Sequence, residues 1–237
     1  LKMQNIKNWF KRVGAGIAAE HGIIPLANFE KKINVFYNTD IDIDGFHVRE
    51  DFYNLIRKYK SKKKYDYACE CFCGHGAIGV FIFEKKLCKE LVLLDSFKPA
   101  VEFCKMSIEN NKLSHVTSSV TDALDKMLDT RIDLLIANPP WRDKIASGIN
   151  RNDYKHQLRK MVDLDWNTHK KFYDNIFKQT TKDVDIFVYE DSRFSQLEDF
   201  MPMIKNAKLK VKKVHKNFGI DGKGYVLHLK KALSKAR

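Results

Sequence analysis

Residues 136–141, "IANPPW", set an amide, two prolines and a tryptophan at the end of the apolar run "RIDLL". Neither proline can donate to a sheet ladder, so a strand has to end there. These residue types favour one kind of chemistry. An exocyclic amine or carboxamide nitrogen is a poor nucleophile because its lone pair is delocalised. If the Asn138 side-chain oxygen and the Pro139 carbonyl each accept one of its N–H groups, that nitrogen is drawn toward tetrahedral geometry. Pro139 and Pro140 keep the carbonyl in place, and orientation of this kind supplies up to ~7–11 kcal/mol of a barrier. Trp141 adds a face that can stack on a planar group, worth roughly 1–3 kcal/mol for a base. The plainer alternative is a rigid strand-to-loop turn closed by a core tryptophan.

Further upstream, "ECFCGHGAIG" (70–79) spaces Glu70, Phe72, Gly74 and Gly76 as E-x-F-x-G-x-G. The glycines let the backbone turn sharply and approach a ligand closely. The strict G-x-G-x-x-G pyrophosphate pattern is missing. Glu70 at a strand's end is unfriendly to a diphosphate and friendly to an ammonium group. Asp95 ends "LVLLD", nineteen residues after Gly76, where a carboxylate can accept both hydroxyls of a ribose. It reads equally as a turn aspartate ahead of Pro99. Asp122, in "VTDAL", suits an adenine amino group, or the N-cap of a following helix.

The elements that must hold these residues alternate between strand and helix. From Tyr65 the chain reads as strand "YDYACECF", helix "GAIGVFIFEKK", strand "KELVLLD" and helix "KPAVEFCKMSIENN". Strand "HVTSSVTD", short helix "ALDKMLD" and strand "IDLLIANPP" follow. Residues 150–180 read as mostly helical, then come strand "VDIFVYED", helix "SQLEDFMPMIKNA" and the strands "LKVKKVHKN" and "GYVLHLKK". Apolar strands alternating with helices predict a doubly wound α/β fold, mostly parallel and covered on both faces. The short turn between the last two strands predicts an antiparallel edge pair. In such sheets ligands lie beyond the carboxyl ends of the strands, where all of these motifs fall. Residues 3–20 and 50–60 carry helical apolar spacing, so 1–60 reads as a basic, mostly helical extension and 61–237 as the main domain.

The chain has 237 residues and a net charge of +13, with 43 Lys and Arg against 30 Asp and Glu. That excess favours a polyanion, nucleic acid before an anionic membrane. The densest patches are "RKYKSKKK" (57–64), the residues just after Trp141 (142–160) and 205–216. Five cysteines without a signal-peptide pattern point to a reducing, cytoplasmic setting. No apolar stretch approaches the ~20 residues of a membrane span. Cys69, Cys71, Cys73 and His75 alternate, which places all four on one strand face, splayed along it as small core residues; no metal site is expected. Leu1 stands where a start Met would, with Met3 close behind, which leaves the start open.

A nucleoside bearing an amino acid fits these positions together. "CFCGHGAIG", "VLLDSFKPAVEFCKMSIENN" and "DLLIANPPW", in that order, resemble the cofactor and catalytic motifs of class I S-adenosylmethionine (SAM)-dependent methyltransferases. More narrowly, they look like the amino methyltransferases with an [N/D]-P-P-[F/Y/W] motif. The resemblance spans about residues 45–141. It implies that Glu70, Gly74 and Gly76, with Phe72 in the same turn, hold the methionine end of SAM. Asp95 would bind the ribose, with Ser96 and Phe97 near the adenine and Asp122 and the Ala123 amide at its edge. Asn138, Pro139, Pro140 and Trp141 would then be catalytic. "FCGHGAIG" is similar to guanine-N2 rRNA enzymes, which usually carry Asp where Asn138 stands. "DGFHVREDF" (44–52) looks like the cofactor-closing segment of release-factor glutamine methyltransferases. Trp141 replaces the commoner Tyr or Phe. The expected substrate is a base amine in RNA or DNA, adenine N6 or guanine N2. The alternative is a glutamine on a translation factor or ribosomal protein.

Overall fold

The computed structural model describes residues 21–26, 33–38, 44–59, 64–126, 128–143, 161–219 and 221–232. Strands β1 (His21–Leu26) and β2 (Ile33–Asn38) form an antiparallel ribbon, followed by helix α1 (Asp44–Tyr59). Next come β3 (Tyr65–Cys71), α2 (Ala77–Glu84), β4 (Cys88–Asp95), α3 (Lys98–Asn111), β5 (Val116–Val120) and β6 (Ile132–Ala137). The chain closes with α4 (Asn167–Gln179), β7 (Thr180–Asp191), α5 (Leu197–Asn206), β8 (Leu209–Phe218) and β9 (Gly224–Lys231). Seven strands make one sheet in the order β5-β4-β3-β6-β7-β9-β8. The first five are parallel, and β9 runs antiparallel to both β7 and β8. The doubly wound α/β fold and the antiparallel edge pair are therefore as expected. From β3 the chain winds outward through β4 to β5, then returns to β6 on β3's other side. That reversal opens a crevice between the carboxyl ends of β3 and β6.

Period-two alternation builds the two faces. Leu91, Leu93, Leu134, Ile136 and Phe187 face the core under α1 and α2, whereas Val92, Leu94, Leu135, Ala137 and Ile186 face the core under α4 and α5. Both layers are apolar, so these strands read as continuous hydrophobic runs. Each fully buried side chain of this size contributes about 1.5–3 kcal/mol. From α1, Phe52, Leu55 and Ile56 enter the first of these cores, so the helix is a covering layer of the sheet.

Three expectations change. Within residues 1–60, expected to be mostly helical, 21–26 and 33–38 are strands, and residues 1–20 lie outside the described residues. β2 docks on α3: Phe36 N–H donates to Ser107 Oγ at 3.0 Å, and Asn111 exchanges bonds with the Asn34 backbone at 3.0 and 2.8 Å. Those partners lie more than 70 residues away, beyond the reach of local periodicity. "ALDKMLD" forms a turn instead of a helix. Ala123 and Leu124 take φ of 50° and 63°, and Asp125 Oδ1 accepts from Thr121 Oγ1 and the Asp122 N–H. Within 150–180 the helical expectation holds over the described residues, with a 3-10 turn (Leu164–Trp166) leading into α4 (Asn167–Gln179), and 150–160 lie outside the described residues. The alternating cysteines do not all share one face. Phe72, with φ of 60°, redirects the chain, leaving Cys69 and Cys71 in one core and Cys73 in the other beside Cys104. Burial pushes their thiols well up, so they act as neutral packing groups. No described helix is long and apolar enough to cross a membrane.

Candidate active site

Between β3 and α2 the chain makes a left-handed turn, with φ of 60° at Phe72, 51° at Gly74 and 74° at Gly76. A side chain at Gly76 would be strained by that φ, and its Cβ would lie 2.6 Å from Leu93 Cδ1. At Gly79, in the first turn of α2, a Cβ would lie 2.7 Å from Glu70 Oε2. The same carboxylate oxygen accepts the Gly79 N–H at 2.7 Å. Buried Glu70 thus meets the free amides and positive end of α2. Phe72 tilts against Phe172, with ring centroids 5.3 Å apart.

Asp95 joins three strand ends. Its Oδ2 accepts the Gly74 N–H at 2.9 Å, its Oδ1 accepts the Phe97 N–H at 2.8 Å, and its carbonyl accepts the Thr121 N–H at 3.0 Å. Ser96 is exposed, while Phe97 caps α3 and packs with Phe36, Ala100 and Phe103. Asp122 caps no helix, because none follows it. Its Oδ2 pairs with Lys171 of α4 at 2.8 Å. Ala123 is buried, and its carbonyl accepts from Asn175 Nδ2 at 3.2 Å.

Asn138 leaves the sheet beside the Phe72 turn, because Ala137 pairs with Cys71 on one side and Val188 on the other. The fold therefore brings the "NPPW" stretch next to the glycine turn, across the crevice. Pro139 is buried, and Asn138 and Pro140 are half-buried. Trp141 is only 8% exposed, so its ring does not offer an open stacking face. The indole N–H donates to Asn138 Oδ1 at 3.2 Å, and the ring meets Tyr189 edge-on at 5.9 Å. Beyond it, Arg142 is pinned on both backbone sides: its N–H donates to the Met161 carbonyl at 3.0 Å, and its carbonyl accepts the Asp163 N–H at 2.7 Å.

Sequence reasoning missed a buried charged network beside this stretch. His169 donates from both ring nitrogens to two acids, with Nδ1 2.6 Å from Asp163 Oδ2 and Nε2 3.0 Å from Glu190 Oε1. Asp163 also accepts the N–H groups of Thr168 and His169, at 2.7 and 2.9 Å, which satisfies the start of α4. The imidazole stacks on Phe200 at 4.9 Å and meets Trp166 edge-on at 5.0 Å. Burial opposes a charge on His169, but Glu190 and Asp163 raise its pKa to about 9. Burial also pushes Glu190 up, against the pull of His169. Glu190, near the end of the apolar "VDIFVYED", carries the same signal as Asp95. Its partner is 21 residues away, so only the fold pairs them.

The methyltransferase small domain family matches residues 28–164, from before β2 through "NPPW" to the start of the His169 network. No curated protein matches the sequence. Among solved structures, a SAM-dependent methyltransferase from Clostridium acetobutylicum is 10% identical with a TM-score of 0.57, covering 81% of this chain and 94% of that one. An rRNA methylase from Streptococcus thermophilus is 8% identical (TM-score 0.54; 78% and 97% covered). A ribosomal protein L11 methylase from Lactobacillus delbrueckii subsp. bulgaricus is 12% identical (0.55; 78% and 79%). At these identities the likeness is one of fold. The family match covers more than half of the chain, which belongs to the methyltransferase small domain family and is a SAM-dependent methyltransferase.

Proposed function

We propose that this methyltransferase modifies the exocyclic amine of a base in nucleic acid, adenine N6 or guanine N2, with RNA the favoured substrate. One observation carries the reading: Asn138 stands at the end of β6, beside the glycine turn, with its side-chain oxygen already oriented by Trp141. A carboxamide oxygen has two lone pairs. Trp141 takes one and leaves the other for a substrate N–H, and the Pro139 carbonyl takes the second N–H. The nitrogen lone pair is then free to attack. That nitrogen would take the methyl of bound SAM, the S–CH₃ bond breaking as the N–CH₃ bond forms, and would lose its proton to water, so no strong general base is required. The net charge of +13 favours a nucleic-acid substrate.

The residues present fit the cofactor, which supplies an electrophilic methyl on a sulfonium. Asp95 spends one lone pair of each carboxylate oxygen on backbone amides, which leaves acceptor capacity for a pair of ribose hydroxyls. Glu70, with Phe72, Gly74 and Gly76, would hold the methionine end, and Ser96, Phe97 and Ala123 would border the adenine. Asp122 would reach the adenine edge only by sharing its carboxylate with Lys171.

Tritiated methyl transfer from SAM into a fractionated lysate tests the reading. Label released by nuclease is the expected result. Label that survives nuclease and is lost to protease would assign a protein glutamine instead, because a carboxamide presents the same N–H pair. Asn138→Ala should abolish transfer while SAM still binds by calorimetry. Near-normal turnover in that variant would end the proposed role of Asn138.

A further inference from the structure

The outer edge of the sheet, away from the glycine turn, carries a groove of about 350 Å³ between α1 and the edge strand β8. Its lining includes Asp51, Leu55 and Lys58 from α1, and Lys213, His215 and Lys216 from β8. The three lysines are exposed, and among the described residues none has a carboxylate partner. Asp51 is the one acid in the lining, and its Oδ2 accepts the Gly219 N–H at 3.1 Å.

The groove points toward the catalytic end of the sheet. β8 and β7 are both antiparallel to β9, so they run the same way. Phe218 and Asp191 both pair with Gly224. The Asp51–Phe218 end of the groove therefore lies at the end of the sheet from which Asn138 emerges. His215 reports the local field. Burial, then Lys213, His228 and Lys58, lower its pKa to about 4, so the ring stays neutral beside the Tyr59 hydroxyl at 3.1 Å. Lysines on an edge strand also deter edge-to-edge aggregation. That role accounts for Lys213 and Lys216, but edge protection has no use for Lys58 on the facing helix.

We propose that this groove binds the phosphate backbone of the substrate nucleic acid, with Lys58, Lys213 and Lys216 as its contacts. It rests on the nucleic-acid reading above. Each contact to a single strand adds roughly 0.7 to the slope of log K against log salt. The test is fluorescence anisotropy of a fluorescein-labelled single-stranded RNA between about 50 and 200 mM salt. The full chain is compared with Lys58→Ala/Lys213→Ala/Lys216→Ala, and with Lys112→Ala/Lys126→Ala/Lys178→Ala, which removes the same charge elsewhere. The groove variant should lose roughly 2 from the slope. The control should keep it, and both should retain SAM binding and the same melting temperature. Equal losses in the two variants would overturn the groove and leave a diffuse charge effect. An unchanged slope with new aggregation would overturn it in favour of edge protection. If the unmodified protein binds this RNA without salt dependence, the nucleic-acid reading itself fails, and the groove with it.

Discussion

On the β3–β4 side of the crevice, backbone amides hold the carboxylates: Gly79 serves Glu70, and Gly74 and Phe97 serve Asp95. On the β6–β7 side, side chains hold one another, with Trp141 on Asn138 and His169 between Asp163 and Glu190. The first arrangement is local and needs glycines at fixed offsets. The second is assembled from three separate stretches and buries its charges. The β6–β7 side depends on a proton and should respond to it.

Breaking the charged network is the harshest test of that contrast. His169→Ala leaves Asp163 and Glu190 buried without their shared partner, and losing one member of such a set costs about 3–5 kcal/mol. A drop of that size in the unfolding free energy from urea titration is expected; a loss below ~1 kcal/mol would show the acids relax without it.

The pH profile separates the two sides. The His169 pKa is about 9 in the folded chain, against 6.5 for an unperturbed histidine. Its contribution is therefore whole below pH 6.5 and is lost as pH rises through about 9. The change amounts to roughly 3 kcal/mol. Subtracting the stability profile of His169→Gln from that of the unmodified protein isolates it. A flat difference between pH 6 and 10 would remove the charged histidine from the account.

Gly79→Ala probes the opposite side. Its methyl would lie 2.7 Å from Glu70 Oε2 and 2.8 Å from Leu93 Cδ2, so the carboxylate must move off α2. A cost of about 1–3 kcal/mol is expected from overpacking, with weaker SAM binding by calorimetry and the His169 contribution between pH 6 and 10 unchanged.

Trp141→Phe should be the mildest change. It keeps most of the ring against Tyr189 and removes the bond to Asn138, worth about 1 kcal/mol. The reading expects kcat to fall roughly fivefold with SAM affinity unchanged. A large rise in the KM for substrate instead would show that the ring touches the substrate after all.

Legibility followed range. The strand-end positions of Glu70 and Asp95 and the glycine turn are readable because a strand's apolar run, its terminal acid and its turn residues sit within a few positions of each other. The strand end just before Asn138 is readable for the same reason. Asp122 was misjudged as a possible helix cap because its partner, Lys171, lies 49 residues on. Trp141 was expected to face a substrate, but Tyr189 of the neighbouring strand draws it inward. His169 carried no signal, since neither acid lies within the turn of chain that local periodicity samples.

The order of strands and helices, and the residues that close each parallel strand, follow from period-two burial and the backbone limits of glycine and proline. Those are properties of neighbouring residues, and a linear chain states them directly. The rest depends on which strands become neighbours. Setting β6 between β3 and β7 is what joins "NPPW" to the glycine turn on one side and to Glu190 on the other. Inserting β9 between β7 and β8 leaves the lysine-rich strand at the edge, facing α1. Such placements come from burying two apolar faces at once, a condition that the whole chain meets together and no short segment can express.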